Sequence, residues 1–113
     1  MPITVYHNQA CSNSCAALRL LEEKGLDVQV IDYLTNPPSK ETIQALLLLL
    51  GIQAQQLIRT KEPVFQPYLH QSFSDEQYIA LMVQFPILIQ RPIVVHGNKA
   101  ILGRPPELVL TIL

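Results

Sequence analysis

Apolar and polar positions along the chain change their period several times, and each change marks an element. Ile3-Thr4-Val5-Tyr6 is a β-branched and aromatic run that reads as a buried strand. Positions 12–24 switch to helical spacing, with Ala17, Leu18 and Leu21 as a core stripe. Ser12 or Asn13 is the expected N-cap, and Gly25 is placed to end the helix. Val28 to Tyr33 alternates and predicts a second strand. Strand, helix and strand in so short a span predict a right-handed βαβ unit with parallel strands. Asn36-Pro37-Pro38 then stops the chain, and Ser39 caps a helix over Lys40–Leu50 that Gly51 closes. That helix is apolar over much of its surface, so it is expected to pack on two sides. Residues 53–60 read as a further short helix. Residues 62–74, interrupted by Pro63 and Pro67, read as irregular chain with one short helix. Ser74 and Gln77 form a capping box for a helix that reaches about Phe85, and 87–90 add one turn after Pro86. Ile93–His96 and Lys99–Leu102 form a hairpin around Gly97-Asn98, and Pro105-Pro106 open a last helix over 107–113.

This order predicts an α/β chain on the thioredoxin plan. It is a single domain over 1–113, with a mixed four-stranded sheet built as βαβ and ββα around a helical insertion at about 39–90. In that plan the segment entering the third strand lies beside the active loop, and its proline, Pro92, is expected to be cis.

Composition narrows the function. Hydrophobic residues are 49% and charged residues 15%, the signature of a chain that buries a core. A net charge of -1 argues against a nucleic-acid-coating or membrane-surface protein. The longest apolar runs, 45–50 and 78–83, are far too short to span a bilayer. No basic, apolar leader follows Met1, so the expected compartment is the cytoplasm, where Cys11 and Cys15 stay reduced. His70 and His96 have no ligand spacing, so no metal site is expected.

Both cysteines lie in His7-Asn8-Gln9-Ala10-Cys11-Ser12-Asn13-Ser14-Cys15, the loop between the first strand and helix. A thiol at a helix N-terminus meets unpaired N–H groups and the positive end of the dipole, which favour its thiolate. The groups of Ser12, Asn13 and Ser14, with His7 upstream, can add to that shift. Cys15 reads as a buried helix residue, with a resolving thiol as the other possibility. The chain has only four arginines, Arg19, Arg59, Arg91 and Arg104. Arg91 and Arg104 each precede a proline at the entry to an element. Arg59 follows an apolar segment, and the three together form a candidate clamp for an oxyanion.

His7-Asn8-x-x-Cys11, Asn36-Pro37-Pro38, Arg59, the run Pro86 to Val95 and Gly103-Arg104-Pro105-Pro106-Glu107 resemble the glutaredoxin-coupled arsenate reductases. The resemblance covers essentially the whole chain. It implies that Cys11 is the nucleophile, that His7 helps lower its pKa, and that Arg59, Arg91 and Arg104 bind arsenate and arsenite. It also implies glutathione as co-substrate and glutaredoxin as the protein that resolves the mixed disulfide. This chain departs from the family at Gln9, where proline is common, and at Cys15, where arginine is common. Spx-type transcription regulators, which bind RNA polymerase, are similar in fold, but their Cys-x-x-Cys switch has Ser14 here in its second position. A glutathione-linked monothiol reductase of another substrate is the third reading.

Overall fold

The computed structural model describes residues 2–113, which divide into two compact units, residues 2–36 with 91–113 and residues 37–90. The first unit holds a four-stranded sheet of β1 (Ile3–His7), β2 (Val28–Asp32), β3 (Ile93–His96) and β4 (Lys99–Leu102) in the order β2-β1-β3-β4. β2 runs parallel to β1, whereas β3 is antiparallel to both β1 and β4. Val5 pairs with Val30 on one side and Val94 on the other, so β1 is the centre of the register. This is the thioredoxin-like mixed sheet that the element order predicts.

Helix α1 (Ser12–Glu23) crosses from β1 to β2. Its buried positions are Ser14, Ala17 and Leu21, one helical face, while β1 buries Ile3, Val5 and His7 at period two. The core joins these two stripes: Ile3, Val5, Ala17, Leu21 and Val94 pack with Val109 and Ile112. The last two residues belong to a 3-10 helix, Pro106–Ile112, where an α-helix over 107–113 was expected. Their spacing of three matches three residues per turn, so both reach the core from one face. Arg91-Pro92 is cis, as expected of Pro92, and so is Arg104-Pro105, which nothing in the sequence pattern had marked.

The α1 cap also differs from expectation. Cys11, with φ -98° and ψ 120°, is the N-cap, and Ser12 and Asn13 already lie inside the first turn. The Cys11 side chain makes no conventional capping hydrogen bond. The first-turn N–H groups therefore have no side-chain oxygen on them.

The unit 37–90 is helical, with α2 (Lys40–Leu50), α3 (Ala54–Leu57), a 3-10 turn at Pro63–Tyr68, α4 (Asp75–Gln84) and another at Pro86–Leu88. Ser39 caps α2 by accepting from the Thr42 N–H, and Gly51 ends it at φ 68°. The Ser74–Gln77 capping box forms as predicted. Contrary to expectation, α2 buries one stripe, Ile43, Leu46 and Leu47, and leaves Leu48 84% exposed. Leu48 lies about 100° further round the helix than Leu47, beyond that stripe. The helix expected over 53–60 stops at Leu57, because Ile58 pairs as an isolated bridge with Ile89 and the Arg59 N–H donates to the Leu88 carbonyl at 2.7 Å.

Gly103 is where the β4 exit touches the core. A methyl group there would meet Pro92 Cγ at 2.7 Å, Val109 Cγ1 at 3.0 Å and Ala17 Cβ at 3.4 Å. Gly103→Ala should therefore cost about 1–3 kcal/mol, the usual range for overpacking. A urea midpoint equal to the parent's would show that these neighbours yield freely.

Candidate active site

The site grows from the place where the two buried stripes end. His7 is the last inward residue of β1, and Ser14 the first inward residue of α1, so they meet above the core. The Ser14 hydroxyl is hydrogen-bonded to His7 Nδ1 and accepts from the Asn8 N–H at 3.1 Å. His7 Nε2 lies 2.9 Å from Gln9 Oε1. Both ring nitrogens of His7 and the Ser14 hydroxyl thus have partners. Asn8 is buried as well, with its Oδ1 accepting from the Ala10 N–H at 2.9 Å and its carbonyl accepting from the Cys11 N–H at 3.0 Å. Every turn of the loop is tied back to the end of β1.

That fastening aims the first turn of α1 at Cys11. Burial of the sulfur disfavours its charge. The Ser14 N–H, the Arg91 guanidinium and the Asn13 N–H together outweigh that, and hold the thiol below its ordinary pKa. The Cys11 sulfur takes the place of the missing capping oxygen, and these donors favour its thiolate. Arg91 is itself only 7% exposed, so its charge acts on the sulfur with little screening from water. Arg104 is exposed, with Nη1 donating to the Arg91 carbonyl at 3.1 Å and lying 4.0 Å from Cys11 Sγ.

The expected residues separate accordingly. Cys11, Asn13, Ser14, Arg91 and Arg104 come together, with His7 behind Ser14. Ser12 is the exposed first residue of α1. Cys15 is half-exposed, not buried as expected, and its thiol donates to the Gln9 carbonyl at 3.2 Å. It lies on the outer side of the turn, because residue 14 already takes the inward direction. Arg59 belongs to the unit 37–90, where its Nε–H donates to Glu62 Oε1 at 3.1 Å. Sequence reasoning did not single out Gln9, Asn8 or Tyr33 as site residues. The parallel pairing of His7 with Asp32, a register that the structure supplies, makes Asn8 and Tyr33 neighbours just past the strand ends. Among the described residues, no three His, Cys, Asp or Glu side chains converge as metal ligands, and no helix is long and apolar enough to cross a membrane.

A helix N-terminus, two guanidinium groups and a thiol with depressed pKa make a site for an anion that can be attacked at its centre. Comparison with known proteins agrees with this chemistry. The model of the ArsC family matches residues 6–112. The chain belongs to the ArsC family. An arsenate reductase of Escherichia coli is 43% identical over 113 residues, which cover 98% of this chain and 80% of that protein. The uncharacterised protein YfgD of Escherichia coli (strain K12) is 42% identical over 113 residues, which cover 97% and 95%. The arsenate reductase structure from Vibrio cholerae superposes with a TM-score of 0.95 at 41% identity, covering 100% of this chain and 98% of that one. Every candidate site residue lies inside the span matched to the ArsC family.

The electrostatics set a direct test. With Cys15→Ser leaving one thiol, alkylation by iodoacetamide should rise with pH through a midpoint below that of a free thiol. Arg91→Gln removes both a donor and a charge and should move the midpoint up. The same linkage makes the thiolate's contribution to stability present at high pH and lost as pH falls through the folded value. An unmoved midpoint in Arg91→Gln would take Arg91 out of the site.

Proposed function

We propose that this chain is an arsenate reductase in which Cys11 is the nucleophile and glutathione and glutaredoxin supply the electrons. The observation that carries the reading is the convergence on Cys11 Sγ of the α1 N–H groups, Arg91 and Arg104. Relatives at about 40% identity that are named arsenate reductases support the substrate.

The chemistry balances on two thiols. The Cys11 thiolate forms a bond to arsenic(V) as an As–OH bond breaks, and the leaving hydroxide takes a proton from solvent and departs as water. A glutathione thiol then attacks, so that two sulfurs become a disulfide while arsenic takes their electron pair and departs as arsenite. Glutaredoxin removes the glutathione and returns Cys11 as a thiol. Arg91 and Arg104 neutralise the oxyanion and hold it in line with the sulfur, and the α1 N–H groups donate to it. Arg59 is a further candidate ligand on the family likeness alone. The cytoplasm, where glutathione keeps thiols reduced, suits this cycle.

A polymerase-binding regulator of the Spx type is the weaker reading. Its disulfide switch needs a thiol at position 14, where this chain has a buried serine committed to His7 and Asn8.

The deciding experiment is arsenate reduction coupled to glutathione and glutaredoxin, with thioredoxin as the control reductant. The parent should turn over with glutaredoxin, and Cys11→Ser should fall to background. Arg91→Gln should lower kcat/KM roughly 10²–10³-fold, as expected when one preorganised oxyanion donor is removed. Cys15→Ser should keep most of the activity, since an external thiol resolves the intermediate. Turnover by Cys11→Ser would end the assignment, and loss in Cys15→Ser as complete as in Cys11→Ser would make Cys15 the resolving thiol.

A further inference from the structure

Tyr33 follows β2 directly and is 1% exposed, yet it carries a hydroxyl group. The turn after β2 fixes it there. The Asp32 carbonyl accepts from the Thr35 and Asn36 N–H groups at 3.2 and 2.8 Å, and Asp32 Oδ1 accepts from the Leu34 N–H at 3.1 Å. The parallel register of β1 and β2 then sets Tyr33 against Asn8. Tyr33 Oη accepts a hydrogen bond from Asn8 Nδ2 at 3.4 Å and another from the Arg91 guanidinium. Burial pushes the phenol above its ordinary pKa, and the Cys11 charge adds to that, against the opposing pull of Asn8 and Arg91. The hydroxyl therefore keeps its proton at neutral pH, and its lone pairs face the two donors.

A phenylalanine would fill the same space, so packing does not explain the oxygen. A buried arginine side chain loses about 2 kcal/mol of rotamer freedom when it is held in one geometry. An acceptor on one of its N–H groups restricts where the rest of its guanidinium points. Tyr33 supplies such an acceptor on a rigid ring, and the same oxygen anchors Asn8, whose backbone ties the Cys11 loop to β1.

We propose that Tyr33 is a positioning residue of the thiol site: its hydroxyl accepts from Arg91 and Asn8 and so keeps the Arg91 guanidinium on the Cys11 sulfur. The inference rests on Cys11 being the reactive thiol of the proposed reductase, and it holds for any anionic substrate. The charged and titratable groups around the sulfur are then Arg91, Arg104 and Tyr33, with His7 behind them on the Ser14 hydroxyl.

The test is the pH profile of Cys11 alkylation by iodoacetamide in the full chain carrying Cys15→Ser. Tyr33→Phe should move the midpoint upward and slow alkylation on the acid side at least about twofold, the low end of coupling between contacting residues. In an Arg91→Gln background the same change should have no further effect. A superimposable profile, a downward shift, or an equal shift in the Arg91→Gln background would each overturn the proposal. Should Tyr33→Phe not fold, Tyr33→3-fluorotyrosine, a weaker acceptor of the same shape, should give a smaller upward shift, and no shift would count against the inference. No arsenate enters these measurements. A parent that alkylates as described but reduces no arsenate would sink the proposed function and leave the Tyr33 inference standing.

Discussion

A single buried hydrogen bond, from Ser14 on α1 to His7 on β1, sets the geometry of everything around Cys11. Both side chains stand on faces that are otherwise apolar, so each needs a partner there. A buried polar group left unpaired costs about 1–3 kcal/mol. The rotation of α1 about its axis is thereby fixed at its first turn as well as at Ala17 and Leu21. With Ser14 turned inward, the N–H groups of residues 13 and 14 emerge at the open end, and the N-cap residue lies over them. Cys11 is that residue. The core thus selects which atom receives the helix's unpaired donors.

Charge then builds on that frame in order of burial. Arg91 is nearly enclosed, and its effect on the sulfur is correspondingly strong in a medium of low effective dielectric. Arg104 is exposed, and its 4.0 Å approach to the sulfur is weakened by solvent and salt. The two are linked through the Arg91 carbonyl, so the exposed arginine is oriented by the backbone of the buried one. One guanidinium tunes the thiol, and the other is available to an arriving anion. This division fits an enzyme whose nucleophile is prepared before its substrate binds.

Much of this could be read from the residues. The βαβ and ββα halves, the Ser39 and Ser74 caps and the Gly51 stop each follow from local chemistry that nothing in the tertiary structure opposes, and the cis Pro92 follows from the thioredoxin plan. The errors fall where tertiary packing decides. A 3-10 and an α-helical end share the same apolar spacing until the core chooses between them, as it does for Val109 and Ile112. Leu48 looks like its buried neighbours in sequence, but the helix phase carries it away from them. Cys15 was expected to be a buried helix residue, yet Ser14 holds the inward direction. Tyr33 was legible only as a strand residue, since its partners, Asn8 and Arg91, are separated from it by 25 and 58 positions.

Gln9 shows how a departure from the family pattern is absorbed. Its side-chain oxygen lies 2.9 Å from His7 Nε2 and gives that ring nitrogen a partner. Nδ1 is hydrogen-bonded in turn to the Ser14 hydroxyl, whose oxygen accepts from the Asn8 N–H. The Gln9 carbonyl also receives the Cys15 thiol proton, so the two unusual positions of the loop support each other on its outer side.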